Sequence, residues 1–125
     1  MKGREKIISN YITGYNEFDI DKMVQDLDEE VVFENVSNGA ITMSLKGLAA
    51  FKEQAEQAKG YFSTRTQSIK SYTHQADETE IEIDYHAELA MDFPNGLKKG
   101  DELKLQGRSI FKFYGNKIVK LTDVS

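Results

Sequence analysis

Apolar residues recur at helical spacing in three segments of the first half of the chain. Residues 4–17 form an amphipathic pattern, whose apolar face consists of Ile7, Ile8, Tyr11, Ile12 and Tyr15. A second helix is predicted after Asp19, a residue type that favours the N-cap position. A third is predicted to begin after Lys46-Gly47 and to end at Lys59-Gly60, where a cation and a glycine suit a helix C-terminus. Three helices are therefore predicted before residue 63.

From residue 63 onward the helical spacing gives way to strict alternation, which is typical of strands. In residues 80–93 every odd-numbered residue from Ile81 to Phe93 is apolar, and most even-numbered residues are charged. Asn38-Gly39 is a strong hairpin signal between two shorter strands. The predicted strands are residues 31–33, 40–45, 64–75, 80–93, 103–114 and 117–124.

The order of these elements predicts an α+β fold in a single domain, residues 1–125. Two helices, a hairpin and a third helix precede four long strands. The helices are therefore expected to cover one face of an antiparallel sheet. This arrangement requires the odd-numbered residues of the strand at 80–93 to face the helices and the even-numbered residues to face water.

Composition narrows the possible classes of function. The chain has 125 residues, no cysteine and a net charge of −5. Binding to nucleic acid or to an anionic membrane is not expected, because phosphate contacts need clustered Lys and Arg. No stretch is apolar and long enough to span a bilayer, and no apolar signal region follows the charged amino terminus. A cytoplasmic location is therefore expected.

Several short strings stand in a distinctive order along the chain. They are Tyr11-Ile12, Phe18-Asp19-Ile20-Asp21, Glu30-Val31-Val32-Phe33-Glu34-Asn35, Lys46-Gly47-Leu48-Ala49-Ala50-Phe51, Gly107-Arg108-Ser109-Ile110-Phe111-Lys112-Phe113 and Asn116-Lys117-Ile118-Val119. In this order they resemble the SnoaL-like group of the nuclear-transport-factor-2-like superfamily, whose fold is that of the ketosteroid isomerases. The resemblance covers nearly the whole chain.

The resemblance implies a cone-shaped, curved antiparallel sheet of about six strands, with three helices packed on its concave face. It also implies a pocket at the wide end of the cone and a homodimer formed through the outer face of the sheet. Such relatives include isomerases, cyclases, dehydratases and scaffolds without activity, so this fold by itself does not define a function.

The residues that carry steroid isomerase chemistry are only partly present. In that enzyme a Tyr and a protonated carboxylic acid hold the oxyanion, and an Asp moves the proton. The resemblance places Tyr11 at the Tyr position, but Asn35 at the base position and Ser109 at the position of the second acid. An amide does not accept and return a proton as a carboxylate does. Ketosteroid isomerase chemistry is therefore not expected.

The same resemblance implies a mostly apolar set of side chains around the pocket. This ligand-binding set is Tyr11, Tyr15, Phe33, Asn35, Tyr85, Leu89, Met91, Ser109 and Phe111. Tyr11, Asn35 and Ser109 are its leading polar candidates, and each could orient the carbonyl or hydroxyl group of a ligand. The alternative is a closed core, which the same residues fill while they satisfy one another's hydrogen bonds.

The two histidines do not indicate a metal site. His86 lies between Asp84 and Glu88 on the polar face of its predicted strand, so we expect it in solvent. His74 has no partner nearby in the sequence, and neither an H-x-H nor an H-x-x-x-H spacing is present. No metal and no other cofactor is predicted.

These observations favour a homodimeric protein that binds a small apolar organic molecule, with no cofactor and no assigned catalytic residue. An enzyme of the cyclase, isomerase or dehydratase kind is the first alternative, with fixed hydrogen-bond donors and an ordered water in place of a side-chain base. A non-catalytic interaction module with a filled core is the second.

Overall fold

The change in periodicity near residue 63 marks the boundary between the last helix and the long strands. The computed structural model describes residues 2–125, with side chains from residue 3 onward. The elements are α1 (Lys2–Asn16), α2 (Ile20–Val24), β1 (Leu27–Ser37), β2 (Ala40–Lys46), α3 (Leu48–Lys59), β3 (Phe62–His74), β4 (Glu78–Leu89), β5 (Glu102–Tyr114) and β6 (Lys117–Val124). Three helices and six strands in this part of the chain confirm the predicted α+β class.

The strands form one sheet that does not close into a barrel, in the order β2-β1-β6-β5-β4-β3. Four neighbouring pairs are antiparallel, whereas β1 and β6 run parallel. The prediction of a wholly antiparallel sheet is wrong at this pair, and the sheet is mixed. Alternation assigns side chains to the two faces of a strand, but it carries no information on the direction of a neighbouring strand. The β1–β6 pair joins segments from opposite ends of the chain.

Strand β4 has the face assignment that its alternation predicts. Ile81, Ala87 and Leu89 are at most 1% exposed, whereas Asp84 and His86 lie in solvent. The apolar residues gain free energy by leaving water, and the charged residues keep their hydration on the other face. The arrangement on which the whole prediction depends is therefore confirmed along this strand.

Met91 does not follow that pattern, and its side chain is 46% exposed. Strand β4 ends at Leu89, whose N–H donates to the carbonyl of Asp101 and whose carbonyl accepts from the N–H of Gly100, both at 2.9 Å. Beyond Leu89 the chain enters the loop of residues 90–101, so alternation no longer decides which way a side chain points. The prediction that Met91 faces the pocket is wrong.

The hydrophobic core joins α1 and α3 to one face of the sheet. Ile8 of α1, Phe111 of β5 and Leu121 of β6 are completely buried. Tyr11 packs edge-on against Phe111, with ring centroids 5.8 Å apart, and it also lies 6.4 Å from the ring of Phe51 in α3. Tyr11 therefore stands where both helices meet the sheet.

Gly14 allows α2 to lie directly against α1. A Cβ atom at this position would stand 2.8 Å from the backbone nitrogen of Met23 and 3.0 Å from the Cβ of Lys22. Glycine costs a helix about 1 kcal/mol relative to alanine, but a larger residue here would push the two helices apart. This close contact brings Met23 to the inner side of the helical layer.

The predicted hairpin at Asn38-Gly39 is confirmed between β1 and β2. Asn38 and Gly39 have φ angles of 52° and 79°, the left-handed conformation that a tight two-residue turn requires at both positions. The β1–β2 pairing shifts register between Asn35 and Val36. Such irregularities bend a strand and change the direction of nearby side chains. The shift lies directly beside Asn35, a predicted site residue.

Candidate functional site

A cavity of about 180 Å³ is lined by residues from all three helices and from strands β1, β2, β3 and β6. Four of the predicted ligand-binding residues line it, namely Tyr11, Tyr15, Phe33 and Asn35. Much of the remaining wall is apolar. Two charged residues that the sequence analysis did not select, Arg65 and Asp123, complete the lining.

Asp123 lies in a polar row that crosses three strands. It is paired in register with Asn35 on β1 and with Ser109 on β5. The resemblance to steroid isomerases assigns acids to these two positions, but this chain has an asparagine and a serine there. The pairing of β6 between β1 and β5 therefore places a carboxyl group between them.

The environment of the Asp123 carboxyl favours its protonated form. Burial raises the pKa of Asp123 to about 6. The hydroxyl of Ser109 donates a hydrogen bond of 2.6 Å to Oδ1, and this bond acts in the opposite direction because it favours the charged carboxylate. Near neutral pH both protonation states are populated, which suits a group that accepts and returns a proton.

Replacement of Ser109 by alanine is expected to raise the pKa of Asp123 above 6, since the carboxylate loses its hydrogen-bond donor while its burial remains. The pKa is measured from the ¹³C chemical shift of the Asp123 carboxyl carbon as a function of pH. Ser68→Ala, a change of an exposed serine on β3, is the matched control and should leave the titration unchanged. An unchanged or lower pKa in Ser109→Ala would contradict the proposed role of this bond.

Tyr11 and Tyr15 of α1 line the cavity as neutral hydroxyl groups. Burial raises the pKa of both, and the charge of Asp123 adds to this effect in Tyr11. In Tyr15 the bond to Tyr85 and the charge of Arg65 act in the opposite direction but do not cancel the effect of burial. The hydroxyl of Tyr15 shares a hydrogen bond of 2.9 Å with the hydroxyl of Tyr85 on β4. Both tyrosines therefore keep their protons at physiological pH and act as hydrogen-bonding groups.

Among the residues that the structure describes, the amide of Asn35 has only a weak partner. Its Nδ2 lies 3.9 Å from the sulfur of Met43 on β2, and a thioether is a poor acceptor. Asn35 lines the cavity beside the register shift in β1. The amide can therefore give up this contact for a stronger acceptor on a ligand.

Arg65 enters the cavity wall from β3 as a buried cation. The residue is 3% exposed, and its Nε donates to the carbonyl of Tyr15 at 2.7 Å. The guanidinium carbon lies 3.8 Å from the ring centroid of Tyr15 and 4.4 Å from that of Phe18. Within the described part of the chain, Nη2 is buried and has no hydrogen-bond partner.

Phe18 contacts the guanidinium group of Arg65 from an unfavourable backbone conformation. Phe18 follows α1 with a φ of 58°, a left-handed conformation that disfavours a side chain by about 1–2 kcal/mol. Glycine is usual at such a position after a helix. Here a phenylalanine occupies it, and its ring lies on the guanidinium group of Arg65.

The other predicted site residues do not line this cavity. Leu89 and Phe111 are buried in the interior, and Met91 is exposed. Ser109 donates its hydroxyl to Asp123, and Tyr85 reaches the site only through Tyr15. The structure thus brings four of the nine residues together around one cavity, and their role in ligand binding stays a prediction.

The sequence does contain a signal for each charged residue that was missed. Asp123 lies two residues after Leu121, so in a strand it shares the face of a buried apolar residue. Arg65 and Gln67 share the inner face of β3, and both are buried. A charged residue at an inward position of an alternating strand is therefore the pattern that could have identified both.

A wider groove crosses β3, β4 and β5 on the opposite face of the sheet. It includes His86 and Asp84, both exposed as predicted. His86 lies 3.5 Å from Glu102, and Asp84 lies 3.8 Å from Lys70. These side chains are exposed and are paired with one another on the surface. We therefore propose no chemistry for this groove.

His74 connects the start of α1 to the β3–β4 hairpin. Its Nε2 lies 2.7 Å from Oε2 of Glu5, and its Nδ1 lies 2.9 Å from the hydroxyl of the buried Thr79. Both ring nitrogens are thus engaged by side chains outside the cavity. We assign His74 a structural role.

Comparison with known families agrees with this fold. Residues 8–121 match the sequence model of the SnoaL-like domain. The chain belongs to the SnoaL-like domain family. The resemblance inferred from the sequence is thereby confirmed. No curated protein matches this SnoaL-like chain, and within its described residues no helix combines the length and apolar character needed to cross a membrane.

Solved structures share the fold of this SnoaL-like chain at low sequence identity. A candidate polyketide cyclase from Xanthomonas campestris pv. campestris is 18% identical with a TM-score of 0.85, over 99% of this chain and 90% of that one. AclR, a candidate hydroxylase from Streptomyces galilaeus, is 17% identical with a TM-score of 0.78, over 99% and 89%. A protein of ketosteroid isomerase-like fold from Catenulispora acidiphila, solved with trimethylamine, is 11% identical with a TM-score of 0.76, over 94% and 82%.

Proposed function

We propose that this SnoaL-like protein is an enzyme that moves a proton on a small organic molecule carrying a carbonyl group, with Asp123 as the acid–base residue. The observation that carries the proposal is the carboxyl of Asp123 on the wall of an otherwise largely apolar cavity, with a pKa of about 6. This group supplies the proton transfer, so the proposed reaction needs no cofactor.

The protonation equilibrium of Asp123 suits both halves of such a reaction. Above pH 6 most of the carboxyl is ionised and can remove a proton from carbon. Because its pKa lies close to physiological pH, the protonated form can also return the proton without a large energetic penalty. A fully hydrated aspartate, with a pKa near 4, would be a weaker base.

Tyr11 and Asn35 are the proposed donors to the substrate carbonyl. Removal of a proton from the neighbouring carbon moves negative charge onto the carbonyl oxygen, and fixed donors in a site with little water stabilise that charge. Tyr11 stays neutral because burial raises its pKa. Within residues 3–125, the Asn35 amide has only its weak contact with the sulfur of Met43 to give up. Asn35 is also the direct cross-strand neighbour of Asp123.

The volume of the cavity limits the size of the reacting group. An engineered cavity of about 150 Å³ holds a benzene molecule, and sites for drug-sized ligands begin at about 300 Å³. The 180 Å³ found here fits one ring, either as a whole ligand or as the reacting end of a longer one. We therefore propose a substrate with one ring, or a chain of similar volume, inside the cavity.

The comparisons support this reaction class without specifying a substrate. One neighbour by fold is a candidate polyketide cyclase. An aldol-type ring closure begins with removal of a proton from the carbon next to one carbonyl, the step assigned to Asp123. That carbon then forms the new bond to the carbon of a second carbonyl group, whose oxygen takes up a proton. This similarity is an analogy of fold, and the assignment itself rests on the cavity and its carboxyl.

Solvent deuterium exchange tests the proposed function without knowledge of the natural substrate. Single-ring ketones and 1,3-diketones are incubated with the protein in D₂O near neutral pD, and the loss of their α-proton signals is followed by NMR. We expect exchange well above that caused by acetate at an equal carboxylate concentration. Binding of these compounds without any accelerated exchange would instead support a protein that only binds its ligand.

From the family resemblance we further infer a homodimer formed through the outer face of the sheet, and we keep the cytoplasmic location that the sequence predicts. The outer face of β3–β5 carries exposed pairs such as Lys70–Asp84 and His86–Glu102, so the contact would be largely polar. A monomeric sedimentation coefficient at micromolar concentration would contradict the dimer.

A further inference from the structure

Arg65 is a buried charge that the described part of the chain does not neutralise. Its side chain is inside the protein, yet no carboxylate of residues 3–125 lies within ion-pair distance of the guanidinium group. The ion pairs that do form lie on the surface, with Lys22, Lys70 and Arg108 among their cations. Buried charges are normally paired, because an isolated ion loses its hydration.

The contacts that Arg65 does make explain its position but leave its charge uncompensated. The hydrogen bond from Nε to the Tyr15 carbonyl uses one of five N–H donors. The rings of Tyr15 and Phe18 hold the plane of the guanidinium group by cation–π contact. The buried Nη2 still finds no acceptor among the side chains and backbone that the structure describes. The structure therefore orients this cation without supplying its counter-charge.

Asp123 does not serve as that counter-charge. Both residues line the cavity, but they form no ion pair, and burial rather than a nearby cation dominates the environment of the carboxyl. Tyr11 and Tyr15 each experience the charges of both Arg65 and Asp123. The two charged residues therefore act on the same cavity from separate parts of its wall.

We propose that Arg65 binds the anionic group of an organic acid, so that the ligand of this cavity is a small carboxylate with an apolar ring or chain. The planar fork of a guanidinium group matches the two oxygens of a carboxylate. The ring or chain lies against the apolar wall that includes Phe33, Met43 and Phe51. The predicted apolar ligand is thereby replaced by an amphiphilic one. This inference deepens the proposed function by naming its substrate class, although binding of the anion does not require catalysis.

Benzoate and benzamide test the proposal as ligands of equal shape and different charge. Their dissociation constants for the wild-type protein are measured by NMR titration or calorimetry at pH 7. We expect benzoate to bind at least about tenfold more tightly, as hydrogen bonds to a charged group allow. Equal affinities, or failure of benzoate to bind, would overturn the proposal, and this comparison needs no variant.

Arg65→Met removes the charge and keeps much of the apolar stem. It is expected to weaken benzoate binding at least about tenfold and to leave benzamide within about twofold. The matched control is Arg108→Met, which changes a half-exposed arginine on the outer face of the sheet and should leave both affinities unchanged. Unchanged benzoate affinity in a folded Arg65→Met protein would overturn the proposal. Arg65→Lys retains the charge and should keep part of the preference for benzoate. It is the variant to measure if Arg65→Met does not fold.

Asp123→Asn separates this inference from the proposed function. The variant removes a negative charge from the same cavity, so benzoate should bind at least as tightly as to the wild type. Retained benzoate preference together with absent deuterium exchange in the wild type would refute acid–base catalysis and leave the anion site standing. Accelerated exchange of neutral ketones without a preference for benzoate would support acid–base catalysis and refute the anion site.

Discussion

Asp123→Asn is expected to remove proton transfer while it makes the folded protein more stable at pH 8. Asparagine keeps the shape of the side chain and its acceptor for the Ser109 hydroxyl, but it neither accepts nor returns a proton. General acid–base groups contribute about 10²- to 10⁴-fold to a rate, so deuterium exchange should fall by about that factor. The exchange rate per protein molecule, measured by NMR, checks this expectation.

The gain in stability follows from the raised pKa of Asp123. The pKa is about 6 in the folded protein, against the ordinary value of 3.8 for an aspartate, so the folded state binds the proton more tightly. The stability that Asp123 contributes is therefore fully present below about pH 4 and is lost as the pH rises through about 6. At pH 8 the wild type keeps an ionised, half-buried carboxylate that has lost part of its hydration, a cost that the neutral asparagine avoids.

The free energy of unfolding of Asp123→Asn should therefore exceed that of the wild type at pH 8 by up to about 3 kcal/mol, since one pKa unit corresponds to about 1.4 kcal/mol. At pH 4 the difference should nearly vanish. Urea denaturation at the two pH values measures both. Asp84→Asn, on the exposed face of β4, is the control and should change neither stability nor exchange appreciably. A variant that is less stable than the wild type at pH 8 would contradict the burial of the charge.

Phe111→Ala is expected to cost about 3–5 kcal/mol of unfolding free energy, the usual range for deleting a buried aromatic ring. Phe111 is completely buried and packs edge-on against Tyr11. Domains of this size are stable by only about 5–15 kcal/mol, so this one change could remove much of the total. Urea denaturation gives the difference directly.

Tyr114→Ala is the matched control for Phe111→Ala, because it deletes another aromatic ring from the same strand. The Tyr114 side chain is 73% exposed, so its loss should change the stability by about 0.5 kcal/mol or less. If Phe111→Ala cost less than about 1 kcal/mol and weakened ligand binding instead, then Phe111 would belong to the binding surface, as the sequence resemblance implied, and not to the core.

Periodicity alone was sufficient for much of this fold. The alternation in residues 80–93 correctly assigned Ile81 and Leu89 to the interior and His86 to solvent. It failed at Met91, because the alternation of residue types continues past the end of the hydrogen-bonded strand. The helical period predicted that Tyr11 faces inward, and the resemblance predicted the same for Asn35. Both residues line the cavity. The face assignments within β4 succeed because burial of apolar side chains acts on each segment separately.

The chemistry of the site depends on which segments become neighbours, and only the tertiary structure decides this. The parallel pairing of β6 with β1 places Asp123 beside Asn35, and pairing with β5 places it beside Ser109. The raised pKa of Asp123, and the burial of an Arg65 Nη2 that has no partner in the described part of the chain, arise from contacts between distant segments. A residue pattern specifies which face of its own strand a side chain occupies. It does not specify the neighbouring strand, so the electrostatic environment of a carboxyl or a guanidinium group appears only once the whole sheet has formed.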